Sequence, residues 1–166
     1  MAMATSAAPT FFPTYTSQSG VPLIDGGMWA SNPMGPAAVE AVGVLGWSPD
    51  TTRLLSIGCT HSPSTLKDDT KRGHGYAYWA GRVADTFMMG QSSASLGTAQ
   101  HLLDRHHVQR VSPTVDAGRY SLDDVRAIDS LKALAVEHAH AEAPLIIRDF
   151  LTGEREPFTP YREVDQ

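Results

Sequence analysis

The sequence predicts an α/β domain, and three observations support this fold class. Two short apolar runs, Arg53–Cys59 and Val108–Val111, have the length and composition of strands. The first run is bounded by Gly58, which favours a buried strand of a mostly parallel sheet. Segments of helical periodicity alternate with these runs, as in layered α/β folds. An open sheet usually has about 5–6 strands, so two strands predict that these 166 residues are part of a larger domain.

The N-terminal segment begins with a loop and a short apolar run. Thr5–Gly20 is punctuated by proline, threonine and serine, and this composition predicts a loop. Val21–Ile24 is apolar and stops at Asp25-Gly26-Gly27. The stop predicts a sharp turn immediately after the apolar run.

A helix is predicted to follow that turn. Asn32 can cap a helix through its side chain, and Pro33 suits the first helical position. Gly46 and Pro49 are expected to end this helix. Its predicted apolar face consists of Ala37, Ala38, Ala41, Val42 and Leu45.

The remaining elements are predicted from helical stripes and breakers. His61–Gly75 is polar and indicates a surface loop. Tyr76–Met89 has apolar residues at every fourth position and predicts a helix, and Ser92–Leu103 predicts a second one. A capping box at Ser121–Asp124 predicts another helix start. Proline 144 is expected to break that helix, leaving a last short helix over Leu145–Leu151.

Charge is distributed unevenly along the chain. The formal net charge is −5, which argues against a nucleic-acid binder. Asp25 is the only charged residue among the first 39, a segment too apolar for disorder and too often interrupted by proline and glycine for a membrane span. No basic residue precedes Arg53, so no secretory signal is predicted. We therefore expect the segment to be irregular and buried, in a cytoplasmic protein that contacts membranes at most peripherally.

Asp25 is the leading candidate for chemistry. A lone carboxylate in an apolar segment is costly unless it is hydrogen-bonded. Gly26 and Gly27 lack Cβ atoms, so amide groups can approach the carboxylate and φ can be positive. A carboxylate held ionised in this way could activate a hydroxyl nucleophile. The alternative is a tight Asp-Gly-Gly turn that only ends a strand.

Two stretches of the chain carry a family resemblance. Ala7-Ala8-Pro9-Thr10-Phe11-Phe12-Pro13 and Leu23-Ile24-Asp25-Gly26-Gly27-Met28-Trp29-Ala30-Ser31-Asn32-Pro33 resemble the patatin-like phospholipases. Leu54-Leu55-Ser56-Ile57-Gly58, Met89–Ser95 and Arg110-Val111-Ser112-Pro113 look like later segments of that family. The likeness covers nearly the whole chain. Ser31 departs from it, because the family more often has asparagine there.

The resemblance implies a three-layer α/β/α serine lipase fold, of which residues 1–166 would be the C-terminal half. It implies a lipid acyl hydrolase of the phospholipase A or esterase type, acting on phospholipids or other acyl esters with no cofactor and no metal. Asp25 would be the base of a Ser–Asp dyad, with Gly26, Gly27, Asn32 and Pro33 supporting the motif. The family's Gly-x-Ser-x-Gly nucleophile and Gly-rich oxyanion loop precede the aspartate, and neither occurs before Asp25.

Other residues that could act as nucleophiles or metal ligands are better explained by structural or solvent-exposed roles. Ser92, in Gly90-Gln91-Ser92-Ser93-Ala94, nearly matches the nucleophile elbow but follows a predicted helix, so a helix start is the better interpretation. The seven histidines lack the spacing of a zinc motif and indicate solvated surface residues. His61 could complete a triad, which a dyad enzyme does not need. Cys59 excludes an intramolecular disulfide and is expected to be a small buried residue.

A second hypothesis comes from another functional class. The chain could be a catalytically inactive patatin-like remnant that serves as a binding or regulatory module. The serine nucleophile discriminates the two hypotheses, because the enzyme needs one and the binding module does not.

Overall fold

The computed structural model describes residues 2–63, 75–80, 82–121 and 123–154. The chain forms two compact units, Met1–Ser121 and Leu122–Gln166. The first unit contains helices and two small sheets, and a single long helix dominates the second. The general α/β class is therefore confirmed. The assignment of residues 1–166 to one larger domain, and the three-layer arrangement, stay predictions.

Each sheet in the described part of the chain consists of two strands. Strands β1 (Tyr15–Thr16) and β2 (Pro22–Leu23) form an antiparallel pair. Strands β3 (Leu54–Ile57) and β4 (Val108–Val111) pair in parallel, with Leu54 opposite Val108. Both predicted strands and their parallel arrangement are confirmed.

The predicted burial of β3 is only half right. Leu54 packs against the hydrophobic core, whereas Ile57, three positions on and therefore on the opposite face, is 76% exposed. The sheet is covered on one face only in the described structure. An apolar strand sequence indicates two covered faces, and the described residues leave Ile57 uncovered.

The helices differ from the predicted ones mainly at their ends. The helices are α1 (Ala2–Thr5), α2 (Gly27–Ala30), α3 (Met34–Val39), which continues as a π-helical segment (Glu40–Val44), α4 (Tyr76–Trp79), α5 (Val83–Leu103) and α6 (Ile128–Phe150). Short 3₁₀ turns at Arg105–His107 and Val125–Ala127 precede β4 and α6.

Two predicted helix breaks are absent from the structure. Helix α5 runs through Gly90, so the two helices predicted over Tyr76–Met89 and Ser92–Leu103 are replaced by the short α4 and the long α5. Helix α6 runs through Pro144 to Phe150, so no separate helix begins at residue 145. A single glycine costs a helix only about 1 kcal/mol. Proline costs more, but the surface position of Pro144 lets water solvate the carbonyl that it leaves without a donor.

Other boundaries follow the sequence signals more closely. The helix after the Asp25 turn ends as predicted, with Gly46 at φ +69° and the Trp47 amide donating to the Ala41 carbonyl at 2.9 Å. Helix α6 begins later than the capping box predicts, after a 3₁₀ turn in which Asp124 Oδ1 accepts from the Arg126 amide at 3.1 Å. Leu122 of that box and most of the predicted His61–Gly75 loop lie outside the described residues.

The core of the first unit lies where α3 crosses α5. Its fully buried members are Met34, Ala38, Ala99 and Leu103. Partly buried residues of both helices and of the parallel strands pack around them, namely Val42, Leu54, Leu96, Leu102 and Val108. Small residues dominate the crossing because they allow two helix backbones to approach closely.

Gly35 is the closest point of this crossing. Its amide donates to Ser95 Oγ at 2.8 Å, and that hydroxyl donates in turn to the Asn32 carbonyl at 2.6 Å. A Cβ atom on Gly35 would lie only 3.1 Å from the Ser95 carbonyl oxygen and 3.2 Å from its Cα. The glycine is therefore needed for helix packing.

We expect Gly35→Ala to lower the free energy of unfolding by about 1–3 kcal/mol, because α5 backbone atoms must move to admit the methyl group. Gly90→Ala is the matched control: Gly90 lies inside α5 with nothing within 4 Å of its Cβ position, so alanine there should stabilise by up to about 1 kcal/mol. Urea unfolding of both variants measures whether each substitution lowers or raises the free energy of unfolding. A stabilising Gly35→Ala would contradict the close crossing.

The apolar N-terminal segment is less buried than the sequence predicts. Ala4 and Ala7 are buried, but Phe11, Phe12 and Trp29 are exposed, Trp29 to 74%. The β1–β2 hairpin has only two residues in each strand, so it offers no face wide enough to cover aromatic side chains. None of the described helices combines the length and the apolar character that a membrane span requires.

Candidate functional site

Asp25 lies in the turn between β2 and α2 and is held at three points. Its amide donates to the Ala7 carbonyl at 3.0 Å, which ties the turn to the N-terminal segment. Its Oδ1 accepts from the Gly27 amide at 2.8 Å, and its carbonyl accepts from the Met28 amide at 3.2 Å. The side chain is half-buried, and its Oδ2 has no hydrogen-bond partner among the described residues. The turn therefore fixes one carboxylate oxygen and leaves the other available.

The two glycines after Asp25 differ in what they contribute. Gly26 has φ −63°, Gly27 is the first residue of α2, and neither is among the glycines with positive φ, so the turn does not use the positive φ that glycine allows. The close amide approach is confirmed at Gly27, where a Cβ would lie 3.3 Å from Asp25 Oδ1. At Gly26 nothing lies within 4 Å of the Cβ position. Only Gly27 has a steric reason to be glycine.

Asn32 and Pro33 stand next to the predicted helix start, but Asn32 does not cap it. Helix α3 begins at Met34 with Pro33 in the cap position and no side-chain capping bond. The Asn32 side chain instead donates through Nδ2 to the Ser92 carbonyl at 3.2 Å and to Ser92 Oγ at 3.3 Å. Asn32 is 2% exposed, and its Oδ1 has no partner among the described residues.

These bonds connect the Asp25 segment to the middle of α5. Gln91 Nε2 also donates to the Met28 carbonyl at 3.3 Å, one turn after Asp25. The capping signal at Asn32 is local, whereas its partner Ser92 is sixty residues away in sequence. Tertiary hydrogen bonding therefore replaces the predicted cap.

Ser92 lies in the interior of α5, with helix on both sides. The predicted helix start at this residue is therefore wrong. The inference that it is not an elbow serine is consistent with the structure, because an elbow requires a strand before the serine.

A cleft of about 330 Å³ opens at the carboxyl ends of β3 and β4. Residues that follow β3, including Gly58, Cys59 and His61, line one side of it, and Arg110 and Ser112 line the other. Further lining comes from Asn32 with its two neighbours in sequence and from Met88, Met89 and Ser92 of α5. Ligands of α/β proteins commonly bind at this edge of a parallel sheet.

Hydrogen bonds across the parallel pair organise the cleft. Arg110 Nη1 donates to Ser56 Oγ at 2.9 Å, and Ser112 Oγ donates to the Cys59 carbonyl at 2.8 Å. After the strands, the His61 amide donates to the Pro113 carbonyl at 2.7 Å and holds the two chain segments together. Cys59 is exposed, so its expected burial is wrong.

Sequence reasoning missed Arg110. The signal was a polar residue at the third position of each apolar strand, Ser56 in β3 and Arg110 in β4. The parallel register places these two residues directly opposite each other. Recognising the pair requires the register, which no local pattern supplies.

The described part of the chain contains no group of three or more histidine, cysteine, aspartate or glutamate side chains arranged to hold a metal ion. His107 lies with its Nδ1 3.3 Å from the Pro49 carbonyl oxygen.

Asp104 fixes the connection from α5 into β4. It has φ +69°, and its Oδ1 accepts from the His106 amide at 3.1 Å. That backbone hydrogen bond is the main cause that lowers the pKa of Asp104 below its ordinary value of 3.8; desolvation opposes it, and the charges of His106 and His107 add to the lowering.

We expect Asp104→Asn to destabilise the first unit with a defined pH dependence. Because the folded pKa is depressed, the carboxylate stabilises the fold above pH 3.8 and loses this contribution as the pH falls through the lower folded value. Urea midpoints of the variant and the unchanged protein should therefore differ near neutral pH and converge in acid. A difference that stays constant below pH 3.8 would contradict this role.

Comparison with models of protein families, with curated proteins and with solved structures finds no match to this chain.

Proposed function

We propose that this chain supplies the base of a serine-type lipid acyl hydrolase. The observation that carries the proposal is the Asp25 carboxylate, with Oδ1 held by the Gly27 amide and Oδ2 without a partner in the described structure. A fixed carboxylate with one available oxygen is what a dyad base requires, because it must accept a proton at a defined position. The motif resemblance to patatin-like phospholipases supports the same role.

The reaction proceeds through a covalent acyl intermediate. Asp25 accepts the proton of a serine hydroxyl contributed by residues outside this sequence, and that oxygen attacks the ester carbonyl. The ester bond breaks, the alcohol leaves with the proton from Asp25, and an acyl-serine remains. Water then gives its proton to Asp25, attacks the acyl group and releases the fatty acid, and the proton returns to the serine. The dyad needs neither a cofactor nor a metal.

The surroundings of Asp25 suit an apolar substrate. Ile24, Met28 and Trp29 flank the carboxylate in sequence, and all three are exposed. Exposed apolar side chains beside a catalytic group can contact an acyl chain, a membrane surface or the segment that carries the serine. The proposed substrate is a phospholipid or another acyl-ester lipid, met in the cytoplasm or at a membrane surface.

The DNA before the codon for Met1 tests this proposal most cheaply. An in-frame Gly-rich loop followed by Gly-x-Ser-x-Gly supports the hydrolase, and its absence from that reading frame and from neighbouring genes counts against it. A fluorophosphonate probe complements this test, because it labels activated serines. We expect it to label the protein that includes the nucleophile segment and not the 166-residue chain alone.

A catalytically inactive binding module is the second candidate. Ser92, the residue nearest to an elbow motif, lies in the middle of a helix, so the described residues offer no elbow serine and the isolated chain could only bind. Labelling of the 166-residue chain by the probe would argue against this candidate. Failure of labelling together with an absent nucleophile segment would favour it.

A further inference from the structure

The cleft at the carboxyl ends of β3 and β4 carries an inference that does not involve Asp25, which is not among its lining residues. Its volume of about 330 Å³ lies at the lower end of the range for small-molecule sites. Two of its polar side chains carry the argument, the donor Arg110 and the acceptor oxygen of Asn32.

Arg110 is the charged group of the cleft. It is half-buried and forms no ion pair with any carboxylate among the described residues. A partly desolvated guanidinium is costly without an anion. The structure thus presents a cation with unused donors inside a cleft.

The position of this guanidinium is fixed before any ligand arrives. Nη1 donates to Ser56 Oγ at 2.9 Å, and a Cβ atom on Gly58 would lie 2.9 Å from Nη2. Glycine at position 58 therefore leaves the room that the guanidinium occupies. A preorganised guanidinium fork matches the oxygens of phosphate or carboxylate.

Asn32 distinguishes between these two anions. It lines the cleft and is 2% exposed, and its Oδ1 is a buried acceptor without a partner in the described structure. A carboxylate has no proton to offer this acceptor. A phosphate monoester does, because its second pKa is about 6 and a share of it carries a P–OH group near neutral pH.

We propose that this cleft binds a phosphate group that carries a P–OH, with Arg110 donating to its oxygens and Asn32 Oδ1 accepting from its hydroxyl. The group is either inorganic phosphate or the monoester headgroup of a lipid. A phosphodiester lacks the hydroxyl and fits less well, and so does sulfate, which carries no proton at neutral pH.

Titration of the full chain with inorganic phosphate, followed by calorimetry and by amide NMR, tests the proposal. We expect shifts at the Gly58–His61 and Ser112 amides and at least 10-fold weaker binding of sulfate. Short-chain phosphatidic acid and phosphatidylcholine separate the sources: binding of the first above that of free phosphate assigns a lipid headgroup, and phosphate binding alone assigns a free phosphate.

Variants sharpen the test. Arg110→Met should weaken phosphate binding at least 10-fold. Arg53→Met removes the same charge from the exposed residue before β3, at the opposite end of the strand, and should leave binding unchanged. Arg110→Lys keeps the positive charge but lacks the paired N–H donors of the guanidinium, so it should bind phosphate more weakly than the unchanged chain. It replaces Arg110→Met in the test if that variant does not fold.

Three outcomes would overturn the proposal. One is phosphate that shifts no amide of the cleft. Another is sulfate or phosphatidylcholine that binds as tightly as the monoester. The third is equal loss of binding in the Arg53 and Arg110 variants, which would indicate only the net charge of the chain.

Discussion

Asp25→Asn is expected to reduce ester hydrolysis by about 100–10,000-fold, the usual contribution of a general base. Asparagine can still accept a hydrogen bond from the Gly27 amide through its side-chain oxygen. The turn that this 2.8 Å bond stabilises should therefore persist. What disappears is the oxygen able to take a proton from serine. The measurement is turnover of a short-chain p-nitrophenyl ester by the protein that includes the nucleophile segment.

The matched control for this variant is Asp50→Asn. Asp50 is an exposed residue of the loop before β3 and lines none of the described clefts, so the same charge change should leave turnover within about twofold. Equal melting temperatures for the Asp25 variant and the unchanged protein would assign the loss of activity to chemistry rather than to folding. Ordinary turnover by Asp25→Asn would eliminate the dyad assignment.

The strands and the Asp25 turn were predictable because their signals are local. The apolar runs Arg53–Cys59, bounded by Gly58, and Val108–Val111 predicted β3 and β4, and both strands form. An aspartate followed by glycine predicted a turn in which an amide meets the carboxylate, and the Gly27 amide does so. In each case the interaction spans only a few residues.

Helix ends were less predictable, because a helix-breaking residue lowers the stability of a helix but does not always end it. The sequence predicted a break between Met89 and Ser92 and another at Pro144, yet α5 and α6 continue through both places. The cost of a breaker is small compared with the hydrogen bonds of a helix of 21 or 23 residues. A glycine or proline inside a long helix therefore indicates where the helix is less stable, and the helix need not end there.

Burial could not be derived from apolar composition. Trp29 and Ile57 have side chains that favour burial, but burial requires a second surface, and the described residues place none over them. The role of Asn32 and the pairing of Arg110 with Ser56 likewise depend on residues more than fifty positions away. These contacts follow from tertiary structure, which local patterns do not encode.

Leu103→Ala is expected to have the largest effect on stability, about 2–5 kcal/mol. Leu103 is 1% exposed and is the largest fully buried side chain in the described structure. Its cluster otherwise consists of Met34, Ala38 and Ala99, and because surrounding structure relaxes only partly around a shortened core side chain, alanine leaves a cavity there. Urea unfolding of the unchanged chain and of the variant measures the loss.

Leu45→Ala provides the control, since it removes the same atoms from a side chain that is 58% exposed in the same unit, and it should cost below about 1 kcal/mol. The contrast matters because the buried cluster is small and includes Leu103 of α5, and Leu54 and Val108, the first residues of the parallel strands, pack against this cluster. Loosening that packing should also weaken phosphate binding at the far end of the same strands. Equal losses of stability in Leu103→Ala and Leu45→Ala would mean that the hydrophobic core of the first unit does not lie at the α3–α5 crossing.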